Sequence, residues 1–261
     1  MKIMRPFYLT IVTIFLFHSC SQKPINNKAI IPESSVFVID SIKVNDSIKI
    51  SKTLHLEMNN KVLLFPSIQN KSVLDSIYNI VGIKLENYSK EKIVKELTKQ
   101  KDTYFSQEKE NSKEYMPEFE QTWEDNFYMN VFSNHNDILT LSYESNGFSG
   151  GAHGYYSILF KNFDLKNNKT IQLSDIFNEV QKINWDKILM ENFKNKDQKE
   201  MLLVDKIPVN NNFYFNDKEI TFVYNQYEIT AYAAGVVEIA IPFSELKSYL
   251  KPDFIKQNNI K

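Results

Sequence analysis

Two stretches of the chain combine residue types that could support binding or catalysis. The first, residues 143–154, holds four of the protein's six glycines together with His153. Glycines grouped beside a strand indicate positive φ angles or close backbone approach, and we expect this at Gly150 and Gly151. His153 could act as a general base, with Ser149 as its partner. The favoured interpretation is structural, with the imidazole nitrogens bonded to backbone carbonyls of a glycine-rich turn.

The second stretch, residues 224–235, is rich in aromatic and small residues and too irregular for a strand. Tyr227 and Tyr232 beside the Glu228 carboxylate suit a sugar or a protein partner, because tyrosine gives a large contact area at low entropic cost. Glu228 could also pair with His153 in acid–base chemistry. The alternative is that these residues close the end of a sheet with their hydroxyls bonded to backbone, and this structural interpretation is favoured.

The distribution of histidines argues against an enzyme. A metal hydrolase needs clustered ligands, whereas His55, His135 and His153 stand apart without H-x-x-x-H or H-E-x-x-H spacing. The sequence Gly-Phe-Ser-Gly at residues 147–150 is one residue short of a G-x-S-x-G nucleophile elbow. We therefore expect no catalytic residue, no cofactor and no metal ion, with a hydrolase or deacetylase that uses His153 as the alternative.

The amino-terminal residues have the pattern of a lipoprotein signal peptide. Lys2 and Arg5 precede an uncharged run over residues 6–17, and the chain's only cysteine, Cys20, comes shortly after it. This run is too short for a hydrocarbon core that requires about 20 residues. We expect residues 1–19 to be removed and Cys20 to carry the lipid that attaches the protein to a membrane.

The composition of the chain is that of an ordinary globular protein. Hydrophobic residues make up 43% and charged residues 24%, and the net charge of −1 argues against a nucleic-acid partner. Residues 20–35 are polar and are predicted to tether the domain to the bilayer. No acidic cluster stands after the cysteine to direct export to the cell surface. We expect attachment on the periplasmic face of the outer membrane.

Apolar periodicity predicts an α+β fold with a mostly antiparallel sheet, helices packed on one side, and two consecutive sub-lobes over residues 36–132 and 133–255. We predict two early strands around residues 48–58 and 62–65, and Ser72 and Ser244 as helix N-caps. Further strands are predicted over residues 123–132, 138–143, 155–165, 170–173, 213–215, 219–224 and 236–241, and helices over residues 73–85, 90–110, 183–193 and 244–250. Trp123 and Trp185 are predicted to lie in the core.

Three short motifs carry a resemblance to a known family. Residues 150–153 read Gly-Gly-Ala-His, residues 227–229 Tyr-Glu-Ile and residues 232–235 Tyr-Ala-Ala-Gly. They resemble the family shared by the extracellular region of the anti-sigma factor RsiV and the accessory region of the peptidoglycan deacetylase PdaC, the domains of unknown function 3298 and 4163. The similarity is clear over residues 130–250, and residues 45–120 resemble the less distinctive amino-terminal half.

The resemblance implies an α+β fold and a binding module that faces the cell envelope, because RsiV binds lysozyme and PdaC acts on peptidoglycan. It implies no catalysis. Gln226 and Ala231 depart from the family pattern, which usually has proline at both positions. We therefore expect a non-catalytic envelope lipoprotein whose partner is peptidoglycan or a lysozyme-like protein. A purely structural lipoprotein is the remaining alternative.

Overall fold

The computed structural model describes residues 39–260 of the chain. The predicted signal peptide, the tether and Cys20 lie outside this range. Residues 39–260 belong to one compact unit. Within residues 39–260, no helix is both long enough and apolar enough to cross a membrane.

A six-stranded sheet forms the first part of the fold, with its strands side by side in chain order. The strands are β1 (Asp40–Lys49), β2 (Leu54–Leu64), β3 (Gln121–His135), β4 (Ile138–Phe148), β5 (Tyr155–Asp164) and β6 (Lys169–Thr170). All neighbours are antiparallel except β2 and β3, which are parallel. A parallel pair needs a long crossover, and two helices supply it: α1 (Lys71–Tyr78) and α2 (Lys90–Asn111).

Both crossover helices pack on the same face of this sheet. The Tyr143 hydroxyl of β4 donates to the Ile77 carbonyl of α1 at 3.1 Å, and the Lys161 ammonium of β5 donates to the Ser76 carbonyl at 3.2 Å. The apolar core between the helices and the sheet is built from alternate strand residues and one stripe of each helix: Val62, Leu64, Val73, Ile77, Ile93, Leu97, Met129, Leu139, Leu141 and Phe163.

The second part of the fold is a three-stranded antiparallel sheet with short helices. Its strands are β7 (Phe213–Phe215), β8 (Glu219–Tyr224) and β9 (Val237–Pro242) in that order. The helices are α3 (Leu173–Ile176), α4 (Trp185–Asn192), α5 (Lys196–Glu200), α6 (Phe243–Leu246) and α7 (Pro252–Asn258). Trp185 lies edge-on between Phe177 and Phe222, with centroid distances of 5.3 and 5.4 Å, at the centre of this second core.

The α+β class and the mostly antiparallel sheet are confirmed, and so is the burial of Trp123 and Trp185, which are 3% and 6% exposed. The boundary predicted after residue 132 falls inside β3. α5 and α7 were not predicted, because each is a short polar segment with a weak apolar period.

Several predicted helix ends were wrong. The side chain of Asn70, not that of Ser72, caps α1 by accepting from the Val73 N–H at 3.1 Å. α1 also stops at Tyr78, because a 3₁₀ turn and Gly82, with φ of 71°, come after it. Ser244 lies inside α6, whose N-cap is Pro242.

Candidate functional site

The two unusual stretches meet in the structure. The first comprises the second half of β4 and the loop to β5, and the second connects β8 to β9. The His153 imidazole stacks on the Tyr232 ring with a centroid distance of 3.9 Å and an interplanar angle of 25°. The Tyr232 hydroxyl donates to the Gly154 carbonyl at 3.0 Å. Tyr227 completes a three-ring group, with its centroid 5.8 Å from that of Tyr232 and 6.4 Å from that of His153. We call His153, Tyr227 and Tyr232 the aromatic cluster.

The glycines of the first stretch are required for two different reasons, a positive φ angle at one pair and close backbone contact at the other. Gly150 and Gly151 both have φ of 88°, in the region that residues with a Cβ rarely adopt. Gly147 and Gly154 are required by close approach: a Cβ on Gly147 would lie 2.3 Å from the Glu124 carbonyl oxygen, and one on Gly154 would lie 2.4 Å from the Gly147 carbonyl oxygen. Grouped glycines in the sequence signalled a shaped loop. They did not show that Gly147 and Gly154 are the crowded pair.

The hydrogen bonds of His153 define its protonation pattern. Its Nδ1 lies 2.9 Å from the Gly154 carbonyl oxygen, so in the neutral imidazole Nδ1 carries the proton. Its Nε2 is then an acceptor and lies 3.5 Å from the Tyr227 hydroxyl. Within residues 39–260, these are its hydrogen bonds, and neither involves the Ser149 or Glu228 side chains considered as catalytic partners. His153 is exposed to solvent.

Tyr227 is held in an unusual conformation. Its φ is 64°, which is uncommon for a bulky residue, and the residue is 59% exposed. The turn that carries it is closed by the Glu228 N–H, which donates to the Asn225 carbonyl at 3.1 Å. The Glu228 carboxylate accepts from the Asn225 side-chain amide at 3.3 Å. Backbone strain of this kind persists where the surrounding contacts impose it, and it is common at binding sites.

Asparagine side chains attach the second stretch to the six-stranded sheet. β6 pairs with only two residues of β5, so the rest of that strand edge has no strand partner within residues 39–260. Asn225 accepts from the Ile158 N–H at 2.7 Å and donates to the Ile158 carbonyl at 3.2 Å. Asn212 accepts from the Phe160 N–H and donates to the Ile158 carbonyl, both at 2.8 Å. These amides take the place of a neighbouring strand, and Asn225 holds the loop of Tyr227 at this edge, whereas Asn212 lies just before β7.

Within residues 39–260, the other two histidines are outside the aromatic cluster. His55 is in β2, with its Nε2 3.7 Å from the Glu120 carboxylate. His135 ends β3 and lines a cavity of about 450 Å³ together with Asn216, Asp217 and Asn258. Within residues 39–260, no three His, Cys, Asp or Glu side chains form a group that could hold a metal ion.

Comparisons with known proteins agree with this architecture. Residues 163–244 match the family model described as a protein of unknown function, DUF3298. A crystal structure of a DUF3298 family member from Bacteroides fragilis superposes with a TM-score of 0.68 at 23% identity, covering 86% of this chain and 98% of that one. A DUF3298 family protein from Pseudomonas aeruginosa gives a TM-score of 0.53 at 17% identity, covering 83% and 96%. No curated protein sequence matches the chain.

The fold is therefore that of solved DUF3298 proteins, and the matched segment carries part of the candidate site. It begins in β5 and ends in α6, so it includes Tyr227, Glu228 and Tyr232. The glycine-rich stretch with His153 lies just before it. The DUF3298 part of the predicted resemblance is thus confirmed.

Proposed function

We propose that the protein is a non-catalytic binding module of the cell envelope and that its ligand contacts the aromatic cluster. The observation that carries the proposal is the geometry of Tyr227. This residue is more than half exposed, stands beside the stacked pair of His153 and Tyr232, and is fixed in a left-handed backbone conformation. Exposed tyrosines with restrained side chains are frequent anchors in binding interfaces, because little conformational entropy is lost on contact.

The ligand we propose is peptidoglycan or a lysozyme-like protein. The support is the resemblance of the Gly-Gly-Ala-His, Tyr-Glu-Ile and Tyr-Ala-Ala-Gly motifs to regions of RsiV and PdaC, together with the DUF3298 match. Both ligand types suit aromatic rings next to a carboxylate, which Glu228 supplies.

The location we propose rests on the first twenty residues. A lipid on Cys20 would anchor the chain to a membrane, with residues 20–35 as a tether, on the periplasmic face of the outer membrane. This arrangement would place the binding domain within reach of the wall.

The test is a binding assay with a mature chain that starts at residue 20. It carries the Cys20→Ser substitution, which prevents lipidation and keeps the protein soluble. Isolated peptidoglycan and a purified lysozyme are the two probes. We expect one of them to bind and Tyr227→Ala to weaken binding at least tenfold. Phe119→Ala is the matched control, because Phe119 is a 70% exposed aromatic residue outside the cluster.

Two results would contradict the proposal. Binding of neither probe would favour a purely structural lipoprotein. Zinc-dependent release of acetate from peptidoglycan, lost in His153→Ala, would establish the hydrolase alternative.

A further inference from the structure

The six-stranded sheet has a polar face opposite the crossover helices. Strand side chains alternate between faces, so alternate residues of the central parts of β2, β3 and β4 point away from α1 and α2. We call this set the polar face: Glu57, Asn59, Lys61, Glu124, Asn126, Tyr128, Asn130, Glu144, Asn146 and, from β5, Tyr156.

A row of asparagines crosses the polar face from strand to strand. Asn59, Asn126 and Asn146 are direct neighbours in the strand register. The Asn59 amide donates to Asn126 Oδ1 at 3.0 Å, and the Asn126 amide donates to Asn146 Oδ1 at 3.0 Å. In this series of hydrogen bonds each amide donates to the next asparagine, so the Nδ2 group of Asn146 is the last donor of the row. Among residues 39–260, that Nδ2 group has no hydrogen-bond partner.

Carboxylates fix the orientation of this row. Glu57 accepts the second N–H of Asn59 at 2.7 Å, and Glu124 accepts the second N–H of Asn126 at 3.2 Å. Asn126 is only 5% exposed although it lies on an outer sheet face, because its neighbours surround it. Such connected networks hold each amide in one orientation.

A second row runs parallel to the first and ends in an acceptor. The Lys61 ammonium donates to Asn130 Oδ1 at 2.9 Å, and the Asn130 amide donates to Glu144 Oε1 at 3.3 Å. Within residues 39–260, the other carboxylate oxygen of Glu144 accepts no hydrogen bond and is in no ion pair. The two rows therefore end two residues apart on β4, one with a donor and one with an acceptor.

An aromatic ring stands beside both ends. Tyr156 of β5 is paired with Asn146 in the register and is 36% exposed. Burial raises the pKa of its phenol, and the nearby carboxylates of Glu144 and Glu238 raise it further. The polar face thus presents an exposed ring, a fixed donor and a fixed acceptor at one place.

We propose that the polar face is a binding site for a neutral saccharide chain that carries hydroxyl and acetamido groups. The sugar ring packs on Tyr156, the Asn146 amide donates to a hydroxyl or acetamido oxygen, and the Glu144 carboxylate accepts from a hydroxyl or amide N–H. The charge of the polar face supports a neutral ligand. The set contains three carboxylates and one ammonium, that of Lys61, so its net negative charge repels an anionic polymer.

This site is separate from the aromatic cluster and does not depend on it. The two adjoin at one contact, where the Tyr156 N–H donates to Gln226 Oε1 at 3.2 Å. The polar face and the aromatic cluster share no residue. Failure of one site therefore does not decide the other.

The test uses N-acetylglucosamine tetramer as the probe and isothermal titration with the soluble mature chain. We expect saturable binding, weakened at least tenfold by Tyr156→Ala and by Asn146→Asp. The aspartate variant keeps the acceptor for Asn126, replaces the free donor with a carboxylate oxygen and adds one negative charge, and we expect it to fold. Thermal unfolding of each variant checks this. Tyr227→Ala is the control and should leave the affinity within twofold of the wild type.

Three results would overturn the proposal. The first is that the wild type shows no saturable binding. The second is that Asn146→Asp unfolds like the wild type and binds the tetramer with the same affinity. The third is that Tyr227→Ala loses binding while Tyr156→Ala and Asn146→Asp keep it. The last would assign the sugar to the aromatic cluster instead. Dextran sulfate, an anionic polysaccharide, should not compete, and competition would contradict the charge argument.

Discussion

The side-chain amide of Asn225 pairs with both backbone groups of Ile158, accepting from the N–H at 2.7 Å and donating to the carbonyl at 3.2 Å. This contact spans 67 positions of sequence and joins the loop of Tyr227 to the edge of the six-stranded sheet. The aromatic cluster exists because this loop is held against β5.

We predict that Asn225→Ala destabilises the protein by about 2 kcal/mol, because the Ile158 N–H loses the partner it has in Asn225, whereas the Ile158 carbonyl keeps the hydrogen bond from Asn212. Unfolding in urea measures the change. Asn87→Ala is the control, because Asn87 is exposed on the loop before α2 and should change stability by less than about 0.5 kcal/mol. Equal effects of both substitutions would contradict the role of Asn225.

We predict a graded effect of alanine along the glycine-rich stretch. Gly151→Ala should cost about 1 kcal/mol, because φ is positive but no atom lies within 4 Å of the added Cβ. Gly150→Ala should cost more, since its Cβ would also lie 3.3 Å from the Trp123 ring.

Gly147→Ala and Gly154→Ala should be the most damaging, at about 3 kcal/mol, because each Cβ would collide with a backbone oxygen. Thermal unfolding ranks the four variants. Gly151→Asn should be milder than Gly151→Ala, because asparagine tolerates positive φ. If Gly151→Ala had the lowest unfolding temperature of the four alanine variants, this explanation would be wrong.

We predict that His153→Ala changes stability by at most about 1 kcal/mol, since its two hydrogen bonds are exposed. Its removal also takes away the ring that stacks on Tyr232, so binding at the aromatic cluster should weaken. Measuring unfolding and binding on the same preparation separates the two effects. A large loss of stability would show that His153 serves the fold rather than the ligand.

We predict that Cys20 alone determines membrane attachment. Cys20→Ala should abolish labelling by a fatty-acid analogue and move the protein from the membrane to the soluble fraction. The immunoblot of the two fractions is the measurement. Label retained by the variant would disprove lipidation at this residue.

We predict a pH-dependent contribution from Tyr88. Burial raises the pKa of its phenol to about 12, and the hydrogen bond to the Asp75 carboxylate, at 2.5 Å, contributes to this rise. The unfolded pKa is about 10, so the stabilisation is fully present below pH 10 and is lost as the pH rises from about 10 to 12.

Ultraviolet titration of the folded protein, compared with Tyr88→Phe, identifies this phenol. Asp75→Asn should lower its pKa, because the carboxylate charge that opposes ionisation is gone. A titration that is the same in all three proteins would contradict the prediction.

Much of the fold could be predicted from local patterns. The apolar stripe of α2 and the hairpin of β7 and β8 around residues 216–218 were predicted nearly to the residue, because their periods and turn residues are strong. Helix ends were predicted less well. Asn70 and Ser72 are both good N-cap residues for α1, and packing decides between them; α6 begins after Pro242 although Ser244 is the better N-cap residue type.

The sequence by itself determined the α+β class, the unusual nature of the two stretches and the DUF3298 resemblance, because each depends on residue types at fixed local spacing. Only the tertiary structure decided that His153 stacks on Tyr232, that Gly147 and Gly154 are the crowded glycines, and that Asn59, Asn126 and Asn146 form one row. These relationships join residues far apart in the chain. They depend on strand register and on the parallel β2–β3 crossover, which no local pattern specifies.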